Sequence, residues 1–238
     1  MSPLLPPPPR PTLISASRRT DLPAFHGEWL RTRLRAGWCE VENPFSGQVS
    51  RVSLAPRDVL AWVFWSRHYA PMYDVLERLH AGGQRFLCHF TINGFPRVLE
   101  PRTPPADLSV ATAWRLAADF GAEVVQWRYD PILLTSVTPP EWHVANFRAL
   151  CQTLEGHTRR CLFSFPTLYR KTLRNLGRLE AEGALRVWSP ATGDFTRADL
   201  IALLGELVAV ASGHGIALQA CCCEPWVREQ PGVGAAQC

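Results

Sequence analysis

The 238-residue sequence is poor in lysine: of its 25 lysine and arginine residues, Lys171 alone is lysine. A GC-rich coding bias is the plain explanation for such an arginine excess. Against that background one retained ammonium group stands out, because lysine offers a point charge with a tunable pKa that guanidinium does not. Long apolar runs are also missing, and none approaches the ~20 residues that cross a bilayer. The first twelve residues, MSPLLPPPPRPT, hold a proline run where a signal peptide would hold its apolar core. A disordered Pro-rich lead-in over residues 1–12, no membrane partner and a cytoplasmic location are therefore expected. The eight cysteines form no C-x-x-C pair, and no H-E-x-x-H or close histidine pair occurs, so no metal site is identified. In a reducing compartment, Cys88, Cys151 and Cys161 read as small buried apolar residues.

Charge of either sign is modest. Charged residues make up 19%, apolar residues 47%, and the net charge is +4. That is globular composition rather than disorder, and it lacks the strong basic excess of a nucleic-acid binder. A nucleic-acid-processing role stays open through the arginine and aromatic content, provided those residues gather into a surface stripe.

Short apolar or alternating runs suggest strands at Leu13–Ser17, Trp38–Glu42, Val49–Leu54, Leu60–Trp65, Phe86–Ile92, Val124–Tyr129, Cys161–Phe165 and Ile216–Cys222. Helical patterns fill the gaps. Asp21 caps a helix ending by Gly37, and Pro71 opens another closed by Gly82-Gly83. Further helices run from Asp107 to Phe120, from Thr138-Pro139-Pro140-Glu141 onward, and from Leu168 to Glu182. The last starts at the Thr196/Asp199 capping box and carries the stripe Leu200, Leu203, Leu204, Leu207, Val208. The turn Asn43-Pro44-Phe45-Ser46-Gly47 is an exception to the alternation, since its flanks suit a hairpin. Strand then helix, repeated, implies parallel strands with crossovers. A single parallel β/α barrel over 13–238 is the first expectation, TIM-like, incomplete or closed, with seven to eight strands. An open doubly wound sheet is second, because no glycine-rich phosphate loop follows the first strand.

Alternation also sorts side chains by face. Gln126, Arg128 and Asp130 oppose Val125, Trp127 and Tyr129, while His89, Thr91 and Asn93 oppose Cys88, Phe90 and Ile92. Ser164 follows Leu162 on its face, and Cys222 shares a face with Glu224. Buried polar groups must pair or meet a ligand, and barrel sites gather at strand C-termini. Each piece also has a plain reading. Arg128 and Asp130 suit an internal ion pair, His89 a hydrogen-bonded core position, and Arg18, Arg19 and Asp21 a solvated loop with a helix cap. Tyr169 and Lys171 suit a helix surface, and the tryptophans suit the core.

Several segments resemble a known bacterial family. They are Ile14–Phe25 (ISASRRTDLPAF), Asn43-Pro44-Phe45, Val49–Leu54, Val63–Ser66, Trp127–Leu134 (WRYDPILL), and Tyr169 with Lys171-Thr172 and Asn175. In order and spacing they are similar to the family termed domain of unknown function 1848, from about residue 13 onward. The resemblance implies a radical S-adenosylmethionine-type enzyme barrel. It also implies a [4Fe–4S] cluster on three thiolates of a C-x-x-x-C-x-x-C tail, with S-adenosylmethionine on the open iron. That pattern does not occur in residues 1–238, so the chain is expected to be C-terminally truncated relative to the family and inactive alone. On the matching positions the resemblance makes Arg18, Arg19, Asp21, Asn43, Arg128, Asp130, Tyr169, Lys171, Cys222 and Glu224 site residues. Their charges suit a small anionic ligand, with arginine and lysine gripping it and the carboxylates orienting it. A non-catalytic phosphate- or nucleotide-binding protein is the alternative.

Overall fold

Parallel strands alternating with helices form the frame. The computed structural model describes residues 11–16, 19–167 and 169–236. The expected lead-in, Ser17, Arg18 and Leu168 thus lie wholly or largely outside the described residues. Seven strands hydrogen-bond in one parallel sheet flanked by helices. In chain order they are β1 (Thr12–Ala16), β4 (Val59–Ser66), β5 (Phe86–Thr91), β6 (Val125–Tyr129), β7 (Arg160–Phe163), β8 (Ala217–Ala220) and β9 (Gly234–Ala235). Two more strands, β2 (Trp38–Glu42) and β3 (Val49–Ser53), make a separate antiparallel pair. Contacts group the chain into two compact units, residues 1–89 and 90–238. Among the described residues no helix is long and apolar enough to cross a membrane.

In the first unit β1 pairs with β4 from Leu13 opposite Ala61 to Ala16 opposite Phe64. Alternation in β4 buries Trp62, Phe64 and Ser66. The single helix expected over Leu22–Gly37 is two: α1 (Leu22–Phe25) and α2 (Gly27–Ala36), broken at His26. Asp21 caps the first as expected, its Oδ1 accepting from Ala24 N at 3.0 Å. The break brings Gly27 against Pro71, whose carbonyl oxygen would lie 3.3 Å from a Cβ at that position. Arg31 then reaches across to Asp74 (Nε to Oδ2, 2.7 Å) and to Pro71 O (3.0 Å). Beyond the β2–β3 hairpin, α3 (Tyr73–Ala81) buries Val75, Leu76 and Leu79.

In the second unit β6 pairs with β7, β7 with β8, and β8 with β9, all parallel. The helices are α4 (Ala106–Phe120), α5 (Pro140–Leu154), α6 (Arg170–Ala181), α7 (Arg197–Gly213) and α8 (Pro225–Arg228). Helix α4 packs on β6, α5 on α7, and α7 on β8. All five residues of β6 are buried, so the strand is covered on both faces. The Thr196/Asp199 capping box forms as expected, and Leu203, Leu204 and Leu207 of the α7 stripe are buried. Thr138, expected to cap α5, does not. Its hydroxyl is spent on Leu133 O (2.8 Å) and Thr135 Oγ1 (2.7 Å), and Pro139 occupies the cap position with Pro140 beginning the helix.

The strand expected to reach Cys222 ends at Ala220. Cys222 takes a left-handed φ of 53°, which breaks the period-two alternation, so Cys222 and Glu224 share no strand face.

Gly94 follows β5 with φ 65°, and a Cβ there would fall 2.6 Å from Asn146 Oδ1. Gly94→Ala is expected to destabilise the protein by roughly 1–2 kcal/mol from the left-handed backbone alone. The Asn146 clash adds to this. Urea unfolding of the purified variant reads the loss as a lower midpoint at constant slope.

Candidate functional site

The C-terminal end of β6 carries a compact polar cluster. Arg128, with its side chain 10% exposed, is ion-paired with Asp130, to which its Nε donates at 3.1 Å and its Nη2 donates a second, shorter bond. The same Nη2 lies 3.6 Å from Cys221 Sγ. Ser164, just beyond β7, donates its hydroxyl to the other oxygen of Asp130. Asn93 holds the backbone of Asp130 from both sides: its Oδ1 accepts from Asp130 N (2.8 Å) and its Nδ2 donates to Asp130 O (3.1 Å). Nδ2 also donates to Glu100 Oε1 at 3.2 Å. The arrangement sets a nearly buried guanidinium against one carboxylate oxygen through two of its nitrogens, the kind of counter-charge such a group requires. It also fixes the exits of β6 and β7 to one another, helped by Ile132 N donating to Ser164 O at 2.7 Å.

A second network, centred on the buried Tyr129 and His143, lies alongside in the sequence. Tyr129 Oη and His143 Nδ1 are 2.9 Å apart, and His143 Nε2 is 3.0 Å from Leu133 O. A carbonyl only accepts, so Nε2 carries the proton and Nδ1 accepts from the Tyr129 hydroxyl. Asn146 Nδ2 donates to Tyr129 Oη (3.0 Å) and to Asn93 O (2.7 Å). Burial pushes the His143 pKa down to about 4 and raises that of Tyr129, so both are neutral at pH 7.

Directly after these strands the chain opens into a cavity of about 340 Å³. Its walls come from the exit of β6 (Ile132–Leu134), the exit of β7 (Phe165–Thr167), the loop 187–195 and the turn 222–227. The aromatic lining is Phe165, Trp188, Phe195 and Trp226, each half-buried. Loop 187–195 is tied down by Trp188 N donating to Leu134 O (3.1 Å) and by Asp194, which is ion-paired with Arg186 and accepts from Ser189 N (3.1 Å). Cys222, Cys223 and Glu224 complete the rim. Cys223 Sγ lies 3.4 Å from Cys221 O, and burial raises its pKa.

The structure brings Arg128 and Asp130 together and sets Cys222 and Glu224, both exposed, on the cavity rim. Tyr169 and Lys171 are exposed at the start of α6, and neither lines the cavity. In the first unit Asp21 caps α1, and Asn43 Oδ1 accepts from Phe45 N (2.9 Å) and Ser46 N (3.3 Å) within the hairpin turn. His89 stacks on Trp65 with centroids 4.0 Å apart. Arg19, exposed, borders an apolar groove of about 440 Å³ lined by β1, α2 and the hairpin. Arg18 lies outside the described residues.

The aromatic lining escaped the sequence reading. Reading the tryptophans as core holds for Trp62 and Trp127, which are fully buried, and fails for Trp188 and Trp226. A usable signal was present: Trp188 and Phe195 flank the turn-rich string Ser-Pro-Ala-Thr-Gly-Asp, where no strand or helix face exists to bury a ring.

The cluster implied by the resemblance needs three thiolates facing one point. Among the described residues no three Cys, His, Asp or Glu side chains are so placed. The consecutive cysteines diverge, with Cys221 Sγ beside Cys222 Sγ (3.9 Å) while Cys223 Sγ turns toward Phe163 O (3.9 Å). The described residues do not fit a [4Fe–4S] cluster.

No curated protein matches the sequence. Among solved structures, the crystal structure of N-isopropylammelide isopropylaminohydrolase from Burkholderia multivorans ATCC 17616 is similar with a TM-score of 0.31 and 12% identity. The match covers 68% of this chain and 41% of that one, so the chain spans less than half the enzyme's length. Likeness at that level supports no statement about fold or chemistry. The family model for the domain of unknown function DUF1848 matches residues 13–238, and the chain belongs to that family.

Proposed function

We propose that residues 90–238 form a small-molecule-binding domain that takes a flat, largely apolar ligand in the cavity beyond β6, β7 and β8. The observation that carries this reading is the aromatic lining of a 340 Å³ cavity built from the exits of three parallel strands. Ligand sites are concave and mainly apolar, with a few fixed polar groups, and this volume falls in their usual range. Strand C-termini are where ligands sit in parallel α/β sheets and in β/α barrels. The β/α barrel expected from the sequence, closed or incomplete, belongs to this proposal too.

The anionic ligand expected from the sequence fits the lining less well. Arg128 is committed to Asp130, and Lys171 is exposed on α6 away from the cavity. We therefore take the ligand to be uncharged or cationic.

The test is a thermal-shift and tryptophan-fluorescence screen with flat heterocycles such as adenine, indole and nicotinamide. At least one is expected to raise Tm and quench emission with a saturable curve. Trp226→Ala, its fold checked by circular dichroism, is expected to weaken that binding tenfold or more. If no compound shifts the wild-type protein, or if Trp226→Ala binds as well as wild type, the reading fails.

A further inference from the structure

Glu224 is the charged side chain in the cavity lining. Among the described residues no Arg, Lys or His lies within ion-pair distance of it. Its carboxylate is nonetheless held in place, because Trp226 Nε1 donates to Glu224 Oε2 at 2.7 Å. That bond sets the negative charge at the edge of the Trp226 indole. Phe165 stacks on the same indole, with centroids 6.2 Å apart and planes at 21°. Arg197, which is outside the cavity lining, places its guanidinium carbon 5.4 Å from the Trp226 centroid, so the ring's π face holds a cation there.

Aromatic faces and one carboxylate, with no cation in the lining, are complementary to positive charge. The kind of cation follows from solvation. A metal ion or primary ammonium is strongly hydrated and asks for several oxygen ligands when stripped of water. The side-chain oxygens of the lining are those of Thr167, Ser189 and Glu224 alone, set among mostly apolar and aromatic walls. An ammonium whose hydrogens are replaced by alkyl groups has little tightly bound water to lose, and its methyl groups pack against rings.

We propose that the cavity recognises a ligand bearing an alkylated ammonium group, seated against Trp226 and Phe165 with its charge facing Glu224. This deepens the small-molecule reading above and rests on it. The wider ligand is whatever flat or apolar body fills the remaining volume toward Trp188 and Phe195.

The experiment compares choline with 3,3-dimethylbutan-1-ol, which has the same shape with carbon in place of the charged nitrogen. Binding of each to the full chain is measured by titration calorimetry or ligand-observed NMR. Wild type is expected to bind choline at least tenfold more tightly than the alcohol. In Glu224→Gln, which keeps an acceptor for Trp226 Nε1 and loses the charge, the preference is expected to fall to threefold or less. Trp226→Leu is expected to weaken choline more than the alcohol. Equal binding of choline and alcohol by wild type overturns the ammonium assignment and leaves the cavity reading intact. A choline preference that persists unchanged in Glu224→Gln overturns the role of the carboxylate. If choline fails while a heterocycle of the earlier screen binds, the ammonium assignment alone falls. If nothing binds, both fall.

Discussion

Asp130→Ala is expected to lower the free energy of unfolding by about 3–5 kcal/mol, the range for breaking a buried ion pair by removing one partner. Arg128 is almost enclosed, and Asp130 accepts from both its Nε and its Nη2. Without the carboxylate the guanidinium keeps its desolvation cost and loses its main counter-charge. Ser164 loses its acceptor at the same time. The double variant Arg128→Met/Asp130→Ala is expected to recover much of the loss, because it removes the charge along with its partner. Urea unfolding of wild type, both single variants and the double variant measures this as a cycle. A double variant no more stable than Asp130→Ala would show that the pair's charge is not what matters.

The second large effect lies in acid. His143 is neutral in the folded protein with its pKa lowered to about 4, whereas the unfolded chain has the ordinary value near 6.5. Between these values the unfolded state binds more protons, so stability rises with pH across the window. The contribution is fully present above pH 6.5 and disappears as pH falls toward 4, and the 2.5-unit difference corresponds to about 3 kcal/mol. Nδ1 faces the Tyr129 hydroxyl, Nε2 faces Leu133 O, and the rings of Phe95 and Trp142 pack around the imidazole, so among the described residues no carboxylate is placed to balance the added charge. In His143→Gln this part of the acid sensitivity is expected to vanish. Urea unfolding at pH 7.5 and pH 4.5 should then show a smaller loss in the variant by about 2–3 kcal/mol. Equal losses would mean that His143 does not control the acid limb.

What the sequence disclosed followed from periodicity. The two faces of β6 and the stripe of α7 show as repeats of two and 3.6, the hairpin around Asn43 as a turn between two strand-like runs, and each formed. The failures came where local chemistry outweighed the repeat. His26 breaks a helix that periodicity alone would continue, and Cys222 leaves the β8 alternation through a left-handed backbone. Thr138 matches a capping signature, but its hydroxyl turns to the Leu133 carbonyl instead. The polar cluster was half legible. Arg128 and Asp130 are two residues apart, near the end of one strand and just beyond it, so their pairing could be anticipated, whereas Ser164 and Asn93 join them only through neighbouring segments. The cavity was hidden for a related reason. Phe165, Trp188, Phe195 and Trp226 come from separate loops with no shared period, and only the folded chain gathers them.

The β2–β3 hairpin is a ribbon in which both strands are edges, since among the described residues each pairs with the other alone. Bare edges recruit further strands, and a flat apolar ribbon would seed aggregation. Here Glu40 stands opposite Arg51, and Glu42 ends the strand beside the turn. An incoming strand would have to strip water from these charges, so the ribbon resists amyloid-like growth while it remains exposed.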